Sequence, residues 1–245
     1  MSIELHRGKA VGEHKKVLVL GIGNILWADE GFGVRTLEHL QSHYKFPEYV
    51  TLLDGGTQGV YLVQDVRDAD ILIVFDAIDY GLEPGTMKII ENEDVPKFMG
   101  AKKVSLHQTG FQEVLALADM MEDYPEQIIL IGVQPEYIED FGGSLRSVVK
   151  AQIEPAVEKA LAFMDANNIT YTKRDTPFIP MDLSEDAILT MDNYEQGRPS
   201  AELACRMGDD RILTSDEFQV TEPEMASVGD SPMNVDVDHH LDKYR

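Results

Sequence analysis

The chain has 245 residues, a hydrophobic fraction of 43% and a formal net charge of -23. This length allows one large domain, alone or with tails, and the acidic balance argues against nucleic acid or an anionic membrane as a partner. The single cysteine, Cys205, excludes an intramolecular disulfide and a metal site built from several thiolates. No segment approaches the roughly 18 consecutive apolar residues of a membrane span, and the polar N-terminus lacks the apolar stretch of a signal peptide. We therefore expect a soluble cytoplasmic protein without membrane insertion.

The first half of the chain alternates between strand and helix patterns. Apolar runs at 17–22, 49–53 and 70–78 predict three buried strands. Between them, apolar positions at three- and four-residue steps predict helices at about 30–44 and 59–67. This β-α-β-α-β order predicts a parallel sheet with right-handed crossovers.

The second half adds a strand of opposite direction and further helices. Only seven residues separate the strand at 70–78 from Thr86–Ile90, too few for a helical crossover, so we expect Thr86–Ile90 to run antiparallel. Pro155 lies inside a helical pattern and predicts a kink or a fresh first turn there. The other elements predicted from apolar spacing are a helix at about 108–121, a strand at 128–133 and the helical segment at about 145–164.

The composition changes about two thirds of the way along the chain. We expect a polar leader at 1–15, an α/β domain at 16–168 and an acidic, poorly ordered tail at 169–245. From Asp175 to the C-terminus there are 17 acidic and only 5 basic residues. Residues 188–196 contain apolar positions that could pack as a short element. The acidic tail would either aid solubility or steer docking to a basic surface.

An acidic turn follows the first strand. The run NILWADEGFGV at 24–34 has the strand, glycine and helix layout of a phosphate-binding turn, yet it carries Asp29 and Glu30 where a phosphate would approach. Asp29 is predicted as a helix N-cap, and Glu30 on the first turn gains from the helix dipole. Trp27 beside the acidic pair would either pin the loop or contact a partner. Acidic residues at a helix N-terminus suit a bound cation and repel an anion.

Two further side chains are expected near this turn. With a flavodoxin-like strand order, 2-1-3, a crevice opens between the strands that end at Ile22 and Asp76. His107 lies in a polar break before a helix that can return to the same edge. Glu30, Asp76 and His107 would supply two oxygens and one nitrogen, a set suited to a divalent ion such as nickel or zinc. Each of them also has a purely structural interpretation, as a helix cap or an acceptor of backbone N–H bonds.

A nucleotide site is the main alternative from the residues alone. Asp54, at the end of the second strand, is placed like the acid that binds a ribose in dinucleotide-binding folds. The run GIGNIL, however, has Leu26 where that fingerprint needs its third small residue, and the chain has no GxxxxGK[ST] motif. Cys205 has no basic surroundings that would activate its thiol. A nucleotide-binding oxidoreductase is thus a weaker hypothesis, testable by thermal stabilisation with NAD or a flavin.

Five motifs, in chain order, carry a resemblance to one family: VLVLGIGNILWADEGFGVR, DGGTQG, DAIDYGLEPGT, KKVSLHQ and LIGVQPE. The chain resembles the [NiFe]-hydrogenase maturation proteases, which trim the precursor of the hydrogenase large subunit. The segments WADEGFGVR and DAIDYGLEPGT are most similar to the subgroup that serves membrane-bound uptake hydrogenases. The leader and the tail lie outside the shared core.

The resemblance implies a single three-layer α/β domain, in which a twisted and mostly parallel sheet with one antiparallel strand lies between helices, followed by the acidic tail. It implies an endopeptidase that removes a short C-terminal peptide from the large-subunit precursor once nickel has been inserted. The nickel would be carried by the substrate, and no organic cofactor is expected. The protease would act as a monomer in the cytoplasm. A nickel-sensing chaperone of the same subunit, which does not cut, is the alternative.

The resemblance also assigns residues. Glu30, Asp76 and His107 match the family's metal-contacting trio, each within its own motif. If nickel serves only for recognition, Asp76 or Glu30 would act as the general base. If nickel is catalytic, it would polarise the scissile carbonyl or lower the pKa of the attacking water. Choice of substrate is implied for a turn of four residues: Asp54, Gly55, Gly56 and Thr57.

Overall fold

The computed structural model describes residues 14–96, 106–178 and 189–197, and for 106–109 the backbone alone. The strands within these ranges are β1 (Val17–Ile22), β2 (Tyr44–Lys45), β3 (Val50–Gly56), β4 (Ile71–Ala77), β5 (Met87–Glu91), β6 (Gln127–Val133) and β7 (Thr172–Lys173). The α-helices used below are α1 (Phe32–His43), α2 (Val63–Asp68), α3 (Leu106–Met120), α4 (Ser147–Lys150), α5 (Ile153–Ala166) and α6 (Met191–Gly197). Two 3-10 turns, Ala28–Gly31 and Gly59–Leu62, precede α1 and α2. The predicted leader lies outside the described residues as far as residue 13.

Five strands form the central sheet, in the order β3-β1-β4-β6-β5. Strands β3, β1, β4 and β6 run parallel, whereas β5 runs antiparallel to β6 at the edge. This confirms the predicted 2-1-3 order and the antiparallel strand at Thr86–Ile90, observed at Met87–Glu91. The loop from β4 to β5 crosses the carboxyl end of β6, where the Gly85 N–H donates to the Gln134 carbonyl oxygen at 2.8 Å.

Side chains alternate across the sheet and form two apolar cores. On β4, Ile71, Ile73 and Phe75 belong to the core that α1 and α5 cover. Leu72 and Val74 belong to the opposite core, which α2 and α3 cover. Because both faces are covered, the inner strands β1, β4 and β6 are mostly apolar and buried along their length rather than alternating. The predicted three-layer α/β architecture is confirmed.

Helix α1 begins directly on the carboxyl ends of β1 and β4. A Cβ atom at Gly33 would lie 2.2 Å from the carbonyl oxygens of both Ile22 and Phe75. A Cβ atom at Gly21, on β1, would lie 2.7 Å from the Gly33 carbonyl oxygen. The first turn of α1 therefore touches the backbone of both strands, and only glycine fits at this close approach. This contact fixes the position of the acidic turn that precedes α1.

We expect Gly33→Ala to lower the free energy of unfolding by about 3 kcal/mol, because the added methyl group overpacks the contact between α1 and the sheet. The two carbonyl groups that it meets are backbone atoms and cannot rotate away. Gly197→Ala is the matched control, since a Cβ atom at Gly197 meets no atom within 4 Å. Urea unfolding of the two variants measures the difference. A loss below about 1 kcal/mol for Gly33→Ala would contradict this packing.

The helical segment predicted at 145–164 is divided into α4 and α5, with Ala151 and Gln152 between them. Pro155 lies in the first turn of α5, where its missing N–H has no helical partner to lose. The expected fresh start at this proline is confirmed. None of the helices in the described ranges has the length and apolar character needed to cross a membrane.

Parts of the chain beyond residue 168 contact the domain. Strand β7 pairs antiparallel with β2, which follows α1. The short element predicted at 188–196 is confirmed as α6. Residues 179–188 and 198–245 lie outside the described residues. The domain boundary at 168 and the poorly ordered tail therefore stay predictions.

Helix α6 and the residue before it dock through hydrogen bonds of three charged side chains. The guanidinium of Arg35, a buried residue of α1, donates a hydrogen bond of 2.6 Å to the carbonyl oxygen of Leu189, just before α6. Glu195, on α6, accepts hydrogen bonds of 2.8 Å from Lys150 Nζ and from Ser144 Oγ. Burial alone would raise the pKa of Glu195, but these hydrogen bonds and the charges of Lys150 and Arg35 lower the pKa below its ordinary value. The ionised carboxylate thus favours docking of α6.

We expect Glu195→Gln to lower the free energy of unfolding at neutral pH by about 0.5–1 kcal/mol, the range of an exposed ion pair. Because the folded-state pKa is lowered, the wild-type contribution is present above the ordinary glutamate pKa of about 4.3. It is lost as the pH falls through the folded-state value, so the substitution should matter little in stronger acid. Glu158→Gln, exposed on α5, serves as the control. Calorimetric Tm values at neutral and acidic pH test this, and an equal effect at both would refute ionic docking.

Candidate active site

The crevice predicted from the strand order lies between β1 and β4. From β1 the chain passes through α1 to β3 on one side, whereas from β4 it continues to β5 and β6 on the other side. Connections that diverge in this way leave a crevice beyond the carboxyl ends of the two neighbouring strands. The residues that follow Ile22, and those around Asp76, line this crevice.

Glu30 lies on the 3-10 turn Ala28–Gly31, between β1 and α1. Its N–H donates a hydrogen bond of 2.9 Å to the Trp27 carbonyl oxygen. A Cβ atom at Gly23 would lie 1.7 Å from the Glu30 carbonyl oxygen, and Gly23 has a φ of 132°, so only glycine allows the chain to fold back this tightly. The 3-10 turn also contacts β4. Glu30 is thereby held next to the strand that carries Asp76.

Asp76 is the next-to-last residue of β4 and is fully buried. By alternation along the strand, its side chain lies on the same face as Leu72 and Val74, which α2 and α3 cover. The carboxylate is therefore directed from the end of β4 towards the layer that contains α3. The structure brings Glu30 and Asp76 to adjoining strand ends, as the sequence predicts.

The sequence patterns did not indicate Tyr80, whose phenol lies on the same sheet face as Asp76. Gly132, on β6, pairs with Asp76 in the sheet register, and a Cβ atom at Gly132 would lie 2.5 Å from Tyr80 Oη. Burial, and then the charge of Asp76, raise the pKa of the Tyr80 phenol, so it is protonated at neutral pH. Lys88 Nζ lies 5.0 Å from the centroid of the Tyr80 ring. A glycine inside the apolar run IILIGV was the available signal for this close contact.

Asp29 does not cap α1, and the N-cap prediction is wrong. The N-cap position of α1 is Gly31, which makes no side-chain cap hydrogen bond. Asp29 lies inside the preceding 3-10 turn and is fully buried. Its carboxylate accepts backbone N–H bonds of 2.9 Å from Glu136 and Tyr137 and of 2.6 Å from Arg146. Asp29 therefore ties the acidic turn to the loop that follows β6.

The third predicted ligand, His107, is described by its backbone alone. It lies in the first turn of α3, and a Cβ atom at Gly110, one turn further on, would lie 3.1 Å from Gly59 Cα. Helix α3 thus begins beside the turn after β3, in the layer towards which Asp76 is directed. The side chain of His107 lies outside the described residues, so the three-residue ligand set stays a prediction. Among the described side chains alone, no group of three or more His, Cys, Asp or Glu residues suits a metal ion.

The Asp54–Thr57 turn lies at the end of β3, beside β1. Asp54 Oδ1 accepts a hydrogen bond of 2.9 Å from the Gly56 N–H, and Gly56 has a φ of 43°, which favours glycine. Partial loss of water contact raises the pKa of the Asp54 carboxyl, although the residue keeps exposed surface. The Gly56 hydrogen bond and the charge of Arg35 on α1 partly offset this rise in the pKa. The turn therefore has a defined, hydrogen-bonded backbone conformation and an accessible surface near α1.

Comparison with known proteins decides the family. The family model for hydrogenase maturation protease, HycI, matches residues 34–163. The hydrogenase expression/formation protein HupD of Thiocapsa roseopersicina is 55% identical over 208 residues, which cover 85% of this chain and 94% of that protein. The chain belongs to the hydrogenase maturation protease family. The matched region of this maturation protease includes Asp54, Asp76 and His107.

Relatives from Escherichia coli support the same assignment. Its hydrogenase 2 maturation protease is 42% identical over 161 residues, covering 65% of this chain and 97% of that protein. The solved structure of the E. coli hydrogenase maturating endopeptidase HybD is 41% identical, with a TM-score of 0.62, and the match covers 65% of this chain and 98% of that one. This maturation protease is thus a hydrolase with the α/β fold of this family. The prediction of an endopeptidase is confirmed, and the oxidoreductase hypothesis finds no support in these relatives.

Proposed function

We propose that this maturation protease removes a C-terminal peptide from the large-subunit precursor of a [NiFe] hydrogenase after nickel has been inserted. The observation that supports this proposal most directly is that the 3-10 turn carrying Glu30 contacts β4, the strand whose end carries Asp76. Helix α3 carries His107 in its first turn and packs on the sheet face of Asp76. The reaction class, peptide hydrolysis, follows from the family. In the proposal, the arrangement of these residues explains why cleavage depends on nickel.

The three proposed ligands suit nickel by their chemistry. Glu30 and Asp76 offer carboxylate oxygens and His107 offers an imidazole nitrogen, donors that a borderline divalent ion accepts. Three protein ligands leave coordination positions for groups of the precursor. In the proposal the nickel is part of the substrate, so only a loaded precursor bridges to all three residues. An empty precursor lacks the ion that completes the contact.

Peptide hydrolysis needs a water molecule to attack the scissile carbonyl carbon, and the departing amine takes up a proton as the C–N bond breaks. Asp76 or Glu30 would accept the proton of the attacking water as general base. Nickel held beside the scissile bond would polarise the carbonyl or lower the pKa of the water. Tyr80 packs across Gly132, next to Asp76, and narrows the space around that carboxylate.

The Asp54–Thr57 turn would select the substrate. Asp54 and Thr57 are exposed, and the half-buried Gly56 between them lets a partner backbone approach, whereas Gly55 is buried against Leu20 and Leu62. The turn follows β3, the neighbour of β1, so a chain bound at the crevice would pass near it. Arg35 and Glu38 of α1 lie near Asp54. Besides the larger effect of burial on both carboxyls, the charge of Arg35 lowers the pKa of Asp54 and the charge of Asp54 raises the pKa of Glu38. Selectivity would thus arise beside the crevice rather than within it.

Mass spectrometry of the precursor tests the proposed function. Purified nickel-loaded and nickel-free precursors are each incubated with the protease, and the masses of the products are compared. Only the loaded precursor should lose a C-terminal peptide. A loaded precursor that binds but keeps its full mass would contradict the proposal and support a non-cutting, nickel-sensing chaperone. Equal cleavage of both forms would contradict the proposed role of nickel.

In this proposal the protease acts as a monomer in the cytoplasm. The single cysteine fits a compartment without disulfide formation. The net charge of -23 opposes self-association and binding to nucleic acid. The precursor is then the main macromolecular partner.

A further inference from the structure

Three aromatic side chains lie exposed beside the acidic turn, and we call Trp27, Tyr137 and Phe141 the aromatic patch. Their exposed fractions are 37%, 46% and 53%. The rings of Trp27 and Phe141 meet edge to face, with centroids 5.3 Å apart and an interplanar angle of 61°. The guanidinium of Arg146 lies over the Tyr137 ring, 5.4 Å from its centroid. Exposed apolar groups that cluster, unlike those that occur singly, mark interaction sites.

The backbone beneath the aromatic patch is held firmly. Main-chain hydrogen bonds join the loop after β6 to the acidic turn, from Gly142 N to Leu26 O at 2.8 Å and from Ala28 N to Gly143 O at 3.1 Å. The buried carboxylate of Asp29 adds its three backbone N–H bonds from the same loop. The aromatic rings are thus presented on a pre-organised surface, which reduces the entropy lost when a partner binds.

The aromatic patch is continuous with the proposed active site. Trp27 and Glu30 belong to the same tight turn, because the Glu30 N–H bonds to the Trp27 carbonyl oxygen at 2.9 Å. The Trp27 ring and the Glu30 side chain are therefore carried by the same turn of chain. A protein segment that binds the aromatic patch is held within one turn of Glu30.

The charge around the aromatic patch favours a basic partner. Glu136 and Glu139 are exposed on the same loop, and Glu30 lies on the acidic turn that this loop contacts. The one cation at the described rings, Arg146, is paired with Asp140 at 3.0 Å. A second copy of this chain, with its net charge of -23, would meet repulsion here. A partner with an apolar segment between basic residues fits both the rings and the rim.

We propose that the aromatic patch docks such a segment of the nickel-loaded large-subunit precursor, so that the nickel is presented to Glu30. This proposal rests on the proposed function, because the precursor is the partner that must reach the crevice. Trp27 and Phe141 supply rigid apolar anchors, the residue types that dominate binding energy at interfaces. In this proposal the two alternative roles of Trp27 apply together: its backbone holds the loop in place, and its ring contacts the partner.

The test is the steady-state cleavage of nickel-loaded precursor by the double variant Trp27→Ala/Phe141→Ala. We expect KM to rise about tenfold or more, while kcat changes by less than about twofold, because anchoring is lost but the proposed catalytic groups are intact. Biolayer interferometry with the loaded precursor should show a matching rise in Kd. An unchanged KM and Kd in a variant of native Tm would overturn the proposal.

Two further variants guard against a purely structural effect. Phe178→Ala removes an equally exposed aromatic side chain, 44% accessible, whose N–H bonds to Ser42 O near the other end of α1. This control should leave KM unchanged, and an equal rise in KM would overturn the proposal. Phe141→Leu keeps apolar surface at position 141. Its affinity for the loaded precursor should therefore lie closer to that of the wild type than the affinity of the double variant does, even if the double variant is destabilised. An affinity as low as that of the double variant would count against docking by this ring.

The outcomes separate this proposal from the proposed function. A wild-type protein that fails to cut loaded precursor refutes the function without any variant. A wild-type protein that cuts, together with a folded double variant of unchanged KM, refutes the aromatic patch alone. Sedimentation that shows a wild-type dimer, broken by the double substitution, would assign the patch to a second copy and overturn the proposal.

Discussion

Asp76→Asn is expected to abolish processing of the nickel-loaded precursor, with turnover reduced about 1,000-fold or more. The amide has nearly the same size as the carboxylate but cannot accept a proton at neutral pH, and loss of a general base costs about 100- to 10,000-fold. It is also a poorer ligand for a divalent ion, because it carries no charge. Since Asp76 lies at the end of β4 rather than in either apolar core, the fold should persist.

The control is Asp123→Asn, which alters a carboxylate that pairs with Arg67 near the C-terminal end of α3, away from the crevice. It should process precursor at the wild-type rate. Single-turnover assays by mass spectrometry, with circular dichroism to verify the fold, provide the measurement. If folded Asp76→Asn retains more than about a tenth of wild-type turnover, Asp76 is not the group on which the chemistry depends.

Asp29→Ala is expected to lower the free energy of unfolding by about 4 kcal/mol, the largest stability effect foreseen here. The substitution leaves three backbone N–H groups without their acceptor, and each buried unsatisfied group costs about 1–3 kcal/mol. Water that enters the vacated space would recover part of this cost. The loop after β6 would also loosen, so the aromatic patch and Glu30 would lose their common support.

Asp29→Asn provides the comparison for this prediction. The amide retains one acceptor oxygen but places an NH2 group towards backbone donors, so we expect about half of the loss seen with alanine. Urea unfolding gives both free energies. Hydrogen exchange at the Glu136, Tyr137 and Arg146 amides should accelerate in Asp29→Ala. Slow exchange at these amides, with a loss below about 1 kcal/mol, would show that Asp29 does not hold the loop.

The sheet was predictable because each strand can be recognised from the apolar pattern of its own local sequence. The strand observed at Ile71–Ala77 is apolar except for Asp76 near its end, which is what burial on both faces requires. The alternation of strands and helices predicted the neighbours of β1. The nine residues that separate β4 from β5 were too few for a helical crossover and predicted the antiparallel edge strand. These features depend on segments of chain that are close in sequence.

The role of Asp29 was not predictable, because an acidic residue just before a helix has the same local pattern whether it caps that helix or not. Its true partners, Glu136, Tyr137 and Arg146, are more than a hundred residues away. Docking of α6 was not predictable for the same reason, because Arg35 and Leu189, which share a hydrogen bond, are separated by 154 residues. Contacts of this range follow from the assembled fold and leave little trace in local spacing.

The candidate site was partly predictable for a related reason. Glu30 follows β1 and Asp76 lies at the end of β4, and because the order of these strands could be inferred, the placement of both residues at one edge of the sheet follows from topology. The contact of Tyr80 with Gly132 was missed because it depends on how a loop folds back over a strand. His107 lies on α3 in the expected layer, and its side chain stays a prediction.

The central claim is that Glu30, Asp76 and His107 grip the nickel carried by the precursor. Its most direct test is the affinity of loaded and nickel-free precursor for the wild-type protease and for the triple variant Glu30→Gln/Asp76→Asn/His107→Ala. The wild type should bind the loaded form at least about tenfold more tightly, a difference of about 1.4 kcal/mol. In the triple variant this preference should disappear. Equal affinity of the wild type for both forms would contradict the account.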